Sequence, residues 1–349
     1  MAVSPENINH TDLSATTAAD GKHRLKILDG WRAISILLVL AAHLLPLNFF
    51  WGSANEAAGV AGMAIFFTLS GFLITRFLLE RPDPRAFLIR RLLRIVPLAW
   101  VTILVLYSWN NTTMTPSALA ANLLFYANLP PQQLLTGGGH LWSLAVEMQF
   151  YMAVAVLVAV AGKRALILFP VFAVSITALR IGSGSTVNIV TWLRADEIFA
   201  GATVALIYSG ILGRRASHAF SSLNFYVVAI IAMITCVWSE TFLGFARPYA
   251  IAAMVGVTIW RVPKWLEKPL TSRPAAYIAE VSYALYVVHG VLTATWLGSG
   301  DLLEKYLKRP LLLVVTFALA HVSTFYFEKQ FIRLGKWMTQ PPKPMLASA

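Results

Sequence analysis

Charge is what this sequence has least of. Asp, Glu, Lys and Arg make up only 13% of its residues, about half the usual share of a soluble chain. Cysteine occurs once, at Cys236, so no intrachain disulfide can form, and its place in an apolar run reads as packing. Neither paired cysteines nor an HExxH spacing announces a metal site. No GxSxG elbow surrounds Ser70, so it is not read as a nucleophile. Against these absences stand 58% hydrophobic residues and a mean hydropathy of +0.66. Such a chain could not cover its own surface with polar groups in water, which excludes a soluble enzyme and a disordered scaffold. It reads as an all-α polytopic membrane protein.

The few charges are lopsided, with 28 basic residues against 16 acidic and a net charge of +12. In a membrane protein this reflects Lys and Arg gathered in cytoplasmic loops rather than a nucleic-acid partner. Residues 1–21 are polar and read as a disordered cytoplasmic tail, 22–336 as the membrane domain and 337–349 as a C-terminal cytoplasmic tail. Apolar runs long enough to span, or nearly so, lie at 28–50, 60–79, 92–109, 141–161, 165–180, 189–210, 225–239, 245–260, 275–297 and 311–328. Residues 116–139 hold an apolar piece too short to span, followed by Pro130-Pro131 and three glycines. Counting that piece as re-entrant leaves most basic residues inside, with Arg180, Arg247, Lys305, Lys308 and Arg309 outside. The positive-inside rule then gives about ten spans and two cytoplasmic termini. Asn110-Asn111-Thr112 fits a glycosylation sequon, a weak signal without meaning in a bacterium.

Ionisable groups inside spans mark function by default. At about 1.5 Å per helical residue, His43 lies roughly 10 Å from the outer end of its run, Glu147 roughly 9 Å, Asp196 roughly 10 Å and His289 roughly 12 Å. Two histidines and two carboxylates are therefore expected in one layer. Arg32 lies eleven residues from His43, about 16 Å away and on the same face. Each has a plainer reading: Arg32 pairing with Asp29, Asp196 or Glu147 with Arg194, His43 as an interhelical hydrogen bonder. His140, after the three glycines, and His321 are left undecided or structural. Arg76, Arg81, Arg85, Arg90, Arg91 and Arg94 suit anionic lipid or a phosphorylated ligand equally by spacing alone. Ser70-Gly71 interrupts the second run, where glycine permits a close helix approach or a kink.

Six segments in order closely resemble the integral-membrane acyltransferase family 3, whose members O-acylate sugars and envelope polymers. They are Leu28-Asp29-Gly30-Trp31-Arg32 with His43; Phe66-Phe67-Thr68-Leu69-Ser70-Gly71; Arg90-Arg91-Leu92-Leu93-Arg94; Trp142-Ser143-Leu144-Ala145-Val146-Glu147-Met148-Gln149-Phe150-Tyr151; Arg194-Ala195-Asp196 with Gly201; and Ser282-Tyr283-Ala284-Leu285-Tyr286 with His289. One departure is Met148, where many members carry a second Glu. Members with a fused extracytoplasmic domain are also longer.

The resemblance implies a membrane O-acyltransferase of a bacterial inner membrane. It would take acyl-CoA, usually acetyl-CoA, from the cytoplasm as donor substrate, with no permanently bound cofactor, and acylate a hydroxyl of a glycan or lipid-linked sugar. Catalysis would rest on His43, with Glu147 or Asp196 as polarising carboxylates. Arg32, Ser70, Gly71, Arg90, Arg91, Arg94, Arg194, Tyr283 and His289 would bind CoA or acceptor. Within the enzymes, the alternative is O-acylation of a small product such as a macrolide or lipo-oligosaccharide. From other classes, a proton-coupled transporter could use the same buried His and carboxylates, and a lipid-binding scaffold would tolerate loss of His43.

Overall fold

The computed structural model describes residues 10–49, 52–109 and 115–340. Residues 1–9 of the expected tail, Phe50 at the end of the first run, the Asn110-Asn111-Thr112 sequon and residues 341–349 lie outside the described residues.

Among the described residues the chain forms fifteen α-helices and no strand. In order they are α1 (His10–Leu44), α2 (Ala54–Glu80), α3 (Pro84–Trp109), α4 (Pro116–Leu123), α5 (Trp142–Ala161), α6 (Phe169–Gly182), α7 (Asp196–Tyr208) and α8 (Arg214–Ser221). There follow α9 (Phe225–Val237), α10 (Arg247–Trp260), α11 (Lys264–Leu270), α12 (Arg273–Thr293), α13 (Leu302–Leu307), α14 (Arg309–Val322) and α15 (Lys329–Met338). A π-helical turn at Ser323–Glu328 joins the last two into one rod. The first helix begins upstream of the apolar run that starts at residue 28, and its membrane-compatible part is Lys26–Leu44.

Among the described residues, eight helical stretches are long and apolar enough to cross a membrane, which makes this an all-α multi-pass membrane protein. A ninth is added if α8 and α9, bent at 82°, count as one. Two of the ten expected runs are missing from the eight: the run at 225–239 counts only together with α8, and the run at 189–210 is not one helix. Thr191–Leu193 makes a 3-10 turn, and α7 starts only at Asp196 and lasts 13 residues, about 20 Å. Hydropathy runs on through residues whose backbone turns. The piece at 116–139 does not span: α4 ends after eight residues and the rest is loop.

Helices α1 and α2 form a wall between two cores. Ile36, Val39, Leu40 and Leu44 face one core, made with α3, α5 and α12. Ile27, Leu28 and Trp31 face the other, made with α7, α9, α10 and α11. Across the wall α2 meets α7 at two glycines. A methyl on Gly71 would overlap the Ile198 carbonyl, and one on Gly201 would overlap the Thr68 carbonyl. The expected close approach at Gly71 is thus present, and that residue packs helices rather than lining a cavity.

Candidate active site

Pro46 decides where the first histidine lies. Proline disfavours helix in the residue before it, and α1 stops at Leu44 although apolar residues continue to Phe49. His43 is therefore one residue from the helix end, and the roughly 10 Å depth expected from the apolar run is too large. His289 likewise sits four residues from the end of α12. The two rings meet with centroids 5.2 Å apart. His140, in the short turn that precedes α5, lies 4.9 Å from His289 and completes a group of three.

Each imidazole commits one nitrogen to a backbone carbonyl. His43 Nδ1 donates to Val39 O at 2.9 Å, His289 Nδ1 to Tyr286 O at 2.7 Å and His140 Nε2 to Val287 O at 3.1 Å. A carbonyl only accepts, so these nitrogens carry the proton and the other nitrogen of each neutral ring keeps an open lone pair. His43 is exposed to a cleft of about 560 Å³, also lined by Trp109, His140, His289, Lys305 and Arg309. Among the described residues no three His, Cys, Asp or Glu side chains converge as ligands of one metal ion.

Glu147 lies elsewhere. Its Oε1 accepts from Ser70 Oγ and Tyr151 OH, and the residue is 5% exposed. It borders a second cleft, lined by Arg32, Ser35, Ser70, Arg91, Arg94, Ser282, Tyr283 and Tyr286. Tyr286 stands between the two clefts. Its hydroxyl accepts from Ser143 Oγ at 2.6 Å and donates to the His140 carbonyl, while its ring lies 5.7 Å from that of His289. Tyr283 lines the second cleft but gives its hydroxyl proton to the Ile95 carbonyl.

The far end of this second cleft is cationic. Arg32 from α1 joins Arg91 and Arg94 from α3 there, and Arg90, Arg91, Arg94 and Lys336 line an adjoining groove. Arg32 also pairs with Asp29 at 3.2 Å, so the plainer reading of that residue holds beside the functional one. Arg91 lies over the Tyr151 ring at 5.7 Å, and Arg90 donates to Thr339 Oγ1 at 2.6 Å. One helix thus presents Arg32 to one cleft and His43 to the other, about 16 Å apart.

Asp196 does not reach the histidines, nor does it pair with Arg194. It pairs with Arg180, and Thr177 Oγ1 donates to it at 3.0 Å. The adjacent Glu197 takes Arg247 at 2.8 Å and Arg194 at 3.4 Å. Arg194 in turn stacks 5.3 Å from the Trp142 ring. All five charged residues are at most 1% exposed. Arg180 and Arg247 are therefore buried partners of the first turn of α7, where the helix dipole also favours carboxylates, and not the loop charges expected. The single layer of two histidines and two carboxylates resolves into three places: the histidines at one mouth, Glu147 farther in, and Asp196 in an ion cluster. His321 is remote, bonded to Tyr277 OH at 3.1 Å.

Tyr286, Tyr151 and Ser143 were visible only as letters of the two motifs. Helical spacing marks them, since Tyr286 lies three residues from both Tyr283 and His289, and Tyr151 four from Glu147. His140 had no signal beyond its glycines, and Glu197 none at all.

Residues 25–328 match the family profile described as "Acyltransferase domain". "Putative peptidoglycan O-acetyltransferase YrhL" of Bacillus subtilis is 28% identical over 313 residues, covering 75% of this chain and 47% of its own. "Putative O-acetyltransferase SACOL0978" of Staphylococcus aureus is 28% identical over 309 residues, covering 75% and 49%. "Peptidoglycan O-acetyltransferase OatA" of Listeria monocytogenes is 24% identical over 361 aligned positions, covering 88% and 56%. The chain spans about half the length of the curated relatives it matches. No solved structure matches it.

Proposed function

The chain belongs to the acyltransferase-domain family that its residues 25–328 match, and on that premise we propose that it is a membrane O-acetyltransferase acting on a cell-envelope glycan. The relatives named for peptidoglycan support that glycan as the acceptor class. The donor is acetyl-CoA entering from the cytoplasm at the arginine end, the acceptor enters at the histidine end, and both termini face the cytoplasm of a bacterial inner membrane.

The observation that carries this reading is the back-to-back arrangement of the two clefts along α1. Arg32, Arg91 and Arg94 offer guanidinium forks suited to the phosphates of a CoA. The apolar and hydroxyl-lined cleft beyond them suits the thioester arm, which passes Ser70, Glu147 and Tyr151 on its way to Tyr286. At the far side His43 supports a base role, because its Nδ1 is tied down and its Nε2 is open. Nε2 takes the proton of the acceptor hydroxyl as that oxygen bonds to the acetyl carbon. The carbon–sulfur bond then breaks, and the departing thiolate takes up the proton, leaving an O-acetyl ester and free CoA. Such positioned proton transfer contributes about 10²–10⁴-fold. Asp196, bound to Arg180, stays outside this path.

Inverted membrane vesicles containing the protein and native envelope glycan test the proposal when supplied with carbonyl-labelled acetyl-CoA. Base-labile label on glycan with wild type and none with His43→Ala is the expected result. Equal labelling with both proteins would refute the assignment of His43. No labelling with any acyl-CoA or glycan would refute the activity and favour a transporter.

A further inference from the structure

Among the described residues, the histidine cleft holds a cation with no counterion. Arg309, the first residue of α14, lines it and is 8% exposed. Its Nε and Nη1 have no hydrogen-bond partner, and it takes part in no ion pair among the described residues. Its guanidinium lies over the Tyr306 ring, 5.8 Å from the centroid. The local carboxylates are occupied: Glu304 is paired with Lys308, and Asp301 accepts from the Glu304 backbone N–H at 2.8 Å. Lys308 further donates to the carbonyls of Trp296 and Ser299. Lys305 also lines the cleft, and among the described residues no Asp or Glu does.

A buried guanidinium with unpaired N–H groups is costly unless something completes it. Anions do so best, because the planar fork matches two oxygens of a carboxylate or phosphate. The N-terminus of α14 adds partial positive charge at the same place. In the same cleft stand His43, His140 and His289, so whatever occupies Arg309 is held beside the open imidazole nitrogens.

We infer that Arg309, with Lys305, is an oxyanion subsite that selects acceptors carrying a carboxylate or phosphate near the hydroxyl to be acylated. The inference rests on the acyltransferase reading for naming this the acceptor cleft. Two sources share that chemistry: an acidic sugar within a glycan, and the phosphate of a lipid-linked sugar. Snorkelling of Arg309 to a lipid headgroup is the structural competitor.

The test is equilibrium binding, which does not depend on turnover. The full chain in phosphatidylcholine nanodiscs is offered three labelled probes: an uncharged oligoglucan, a matching oligosaccharide bearing uronate, and a polyprenyl-diphosphate sugar. At least one charged probe should bind tenfold or more tighter than the uncharged one, with affinity falling as salt rises. Arg309→Gln should remove that preference, Arg309→Lys should keep part of it, and Lys305→Gln, at a less buried site, should weaken it without endangering the fold. Which charged probe is preferred identifies the source. Equal binding of all three probes by wild type, or an unchanged preference in both Arg309→Gln and Lys305→Gln, overturns the subsite. A preserved anion preference in a protein that never transfers acetyl would instead refute the enzymatic reading and leave the subsite standing.

Discussion

The imidazole of His140 occupies the space where a side chain on Gly290 would begin. Gly290 directly follows His289, so the bare backbone of α12 lets two histidine rings from different parts of the chain lie against each other. Gly290→Ala should push the His140 ring aside rather than unfold α12, since a ring can move where a helix cannot. A displacement of about 1 Å in such a group costs about 10²-fold in turnover. The expected outcome is a large fall in kcat with an unchanged melting temperature of the detergent-solubilised protein. A fall in both together would mean that the contact is structural.

Removal of the open nitrogen at His43 should be the most damaging change to turnover. His43→Ala should lower acetyl transfer by about 10²–10⁴-fold with normal membrane insertion. Glu147→Gln keeps the shape that Ser70 and Tyr151 hold and removes only the charge. It should lower kcat while leaving both KM values near wild type, which steady-state kinetics with acetyl-CoA and glycan varied separately would reveal.

Arg32→Ala should act on the donor alone. A charge-assisted hydrogen bond is worth about 1.5–3 kcal/mol, so KM for acetyl-CoA should rise by roughly ten- to a hundredfold while KM for the acceptor stays put. The same change in both constants would contradict a donor role. Because Arg32 also pairs with Asp29, Asp29→Asn serves as the control and should leave KM for acetyl-CoA unchanged.

The ion cluster at the start of α7 should behave as architecture. Loss of one member strands a buried charge, at a cost of about 3–5 kcal/mol. Arg247→Gln and Asp196→Leu should each lower the melting temperature sharply. The double replacement Arg180→Met with Asp196→Leu removes both charges and should recover most of the stability lost in Asp196→Leu. Acetyl transfer by the recovered double variant would exclude Asp196 from catalysis, and its complete absence would restore Asp196 as a candidate.

The membrane class and the helical fold were legible in the sequence, because composition fixes the class, and the motifs name side chains that the structure brings to one cleft. Arg32, Ser70, Arg91, Arg94, Glu147 and Tyr283 share a cleft, and His43 meets His289. Depth was misread where an apolar run outlives its helix, as at Leu44, although Pro46 was there to mark the end. The pairing of Arg180 with Asp196 and of Arg247 with Glu197 could not be read at all. An arginine near the end of an apolar run looks the same whether it faces headgroups or reaches across to another helix, and only the packed structure distinguishes the two.

A helix also works as a ruler. Because Arg32 and His43 ride on the same stretch of α1, the separation of about 16 Å between them is set by backbone hydrogen bonds and cannot flex as a loop would. A donor gripped by its phosphates at one mark, as proposed, would therefore have to bring its acyl carbon to the other by its own reach. Acetyl phosphate, with its acyl group beside its only phosphate, is too short to touch both marks. On the proposed donor reading, the fold itself would then sort acetyl donors by length, before any contact with the acetyl group is made.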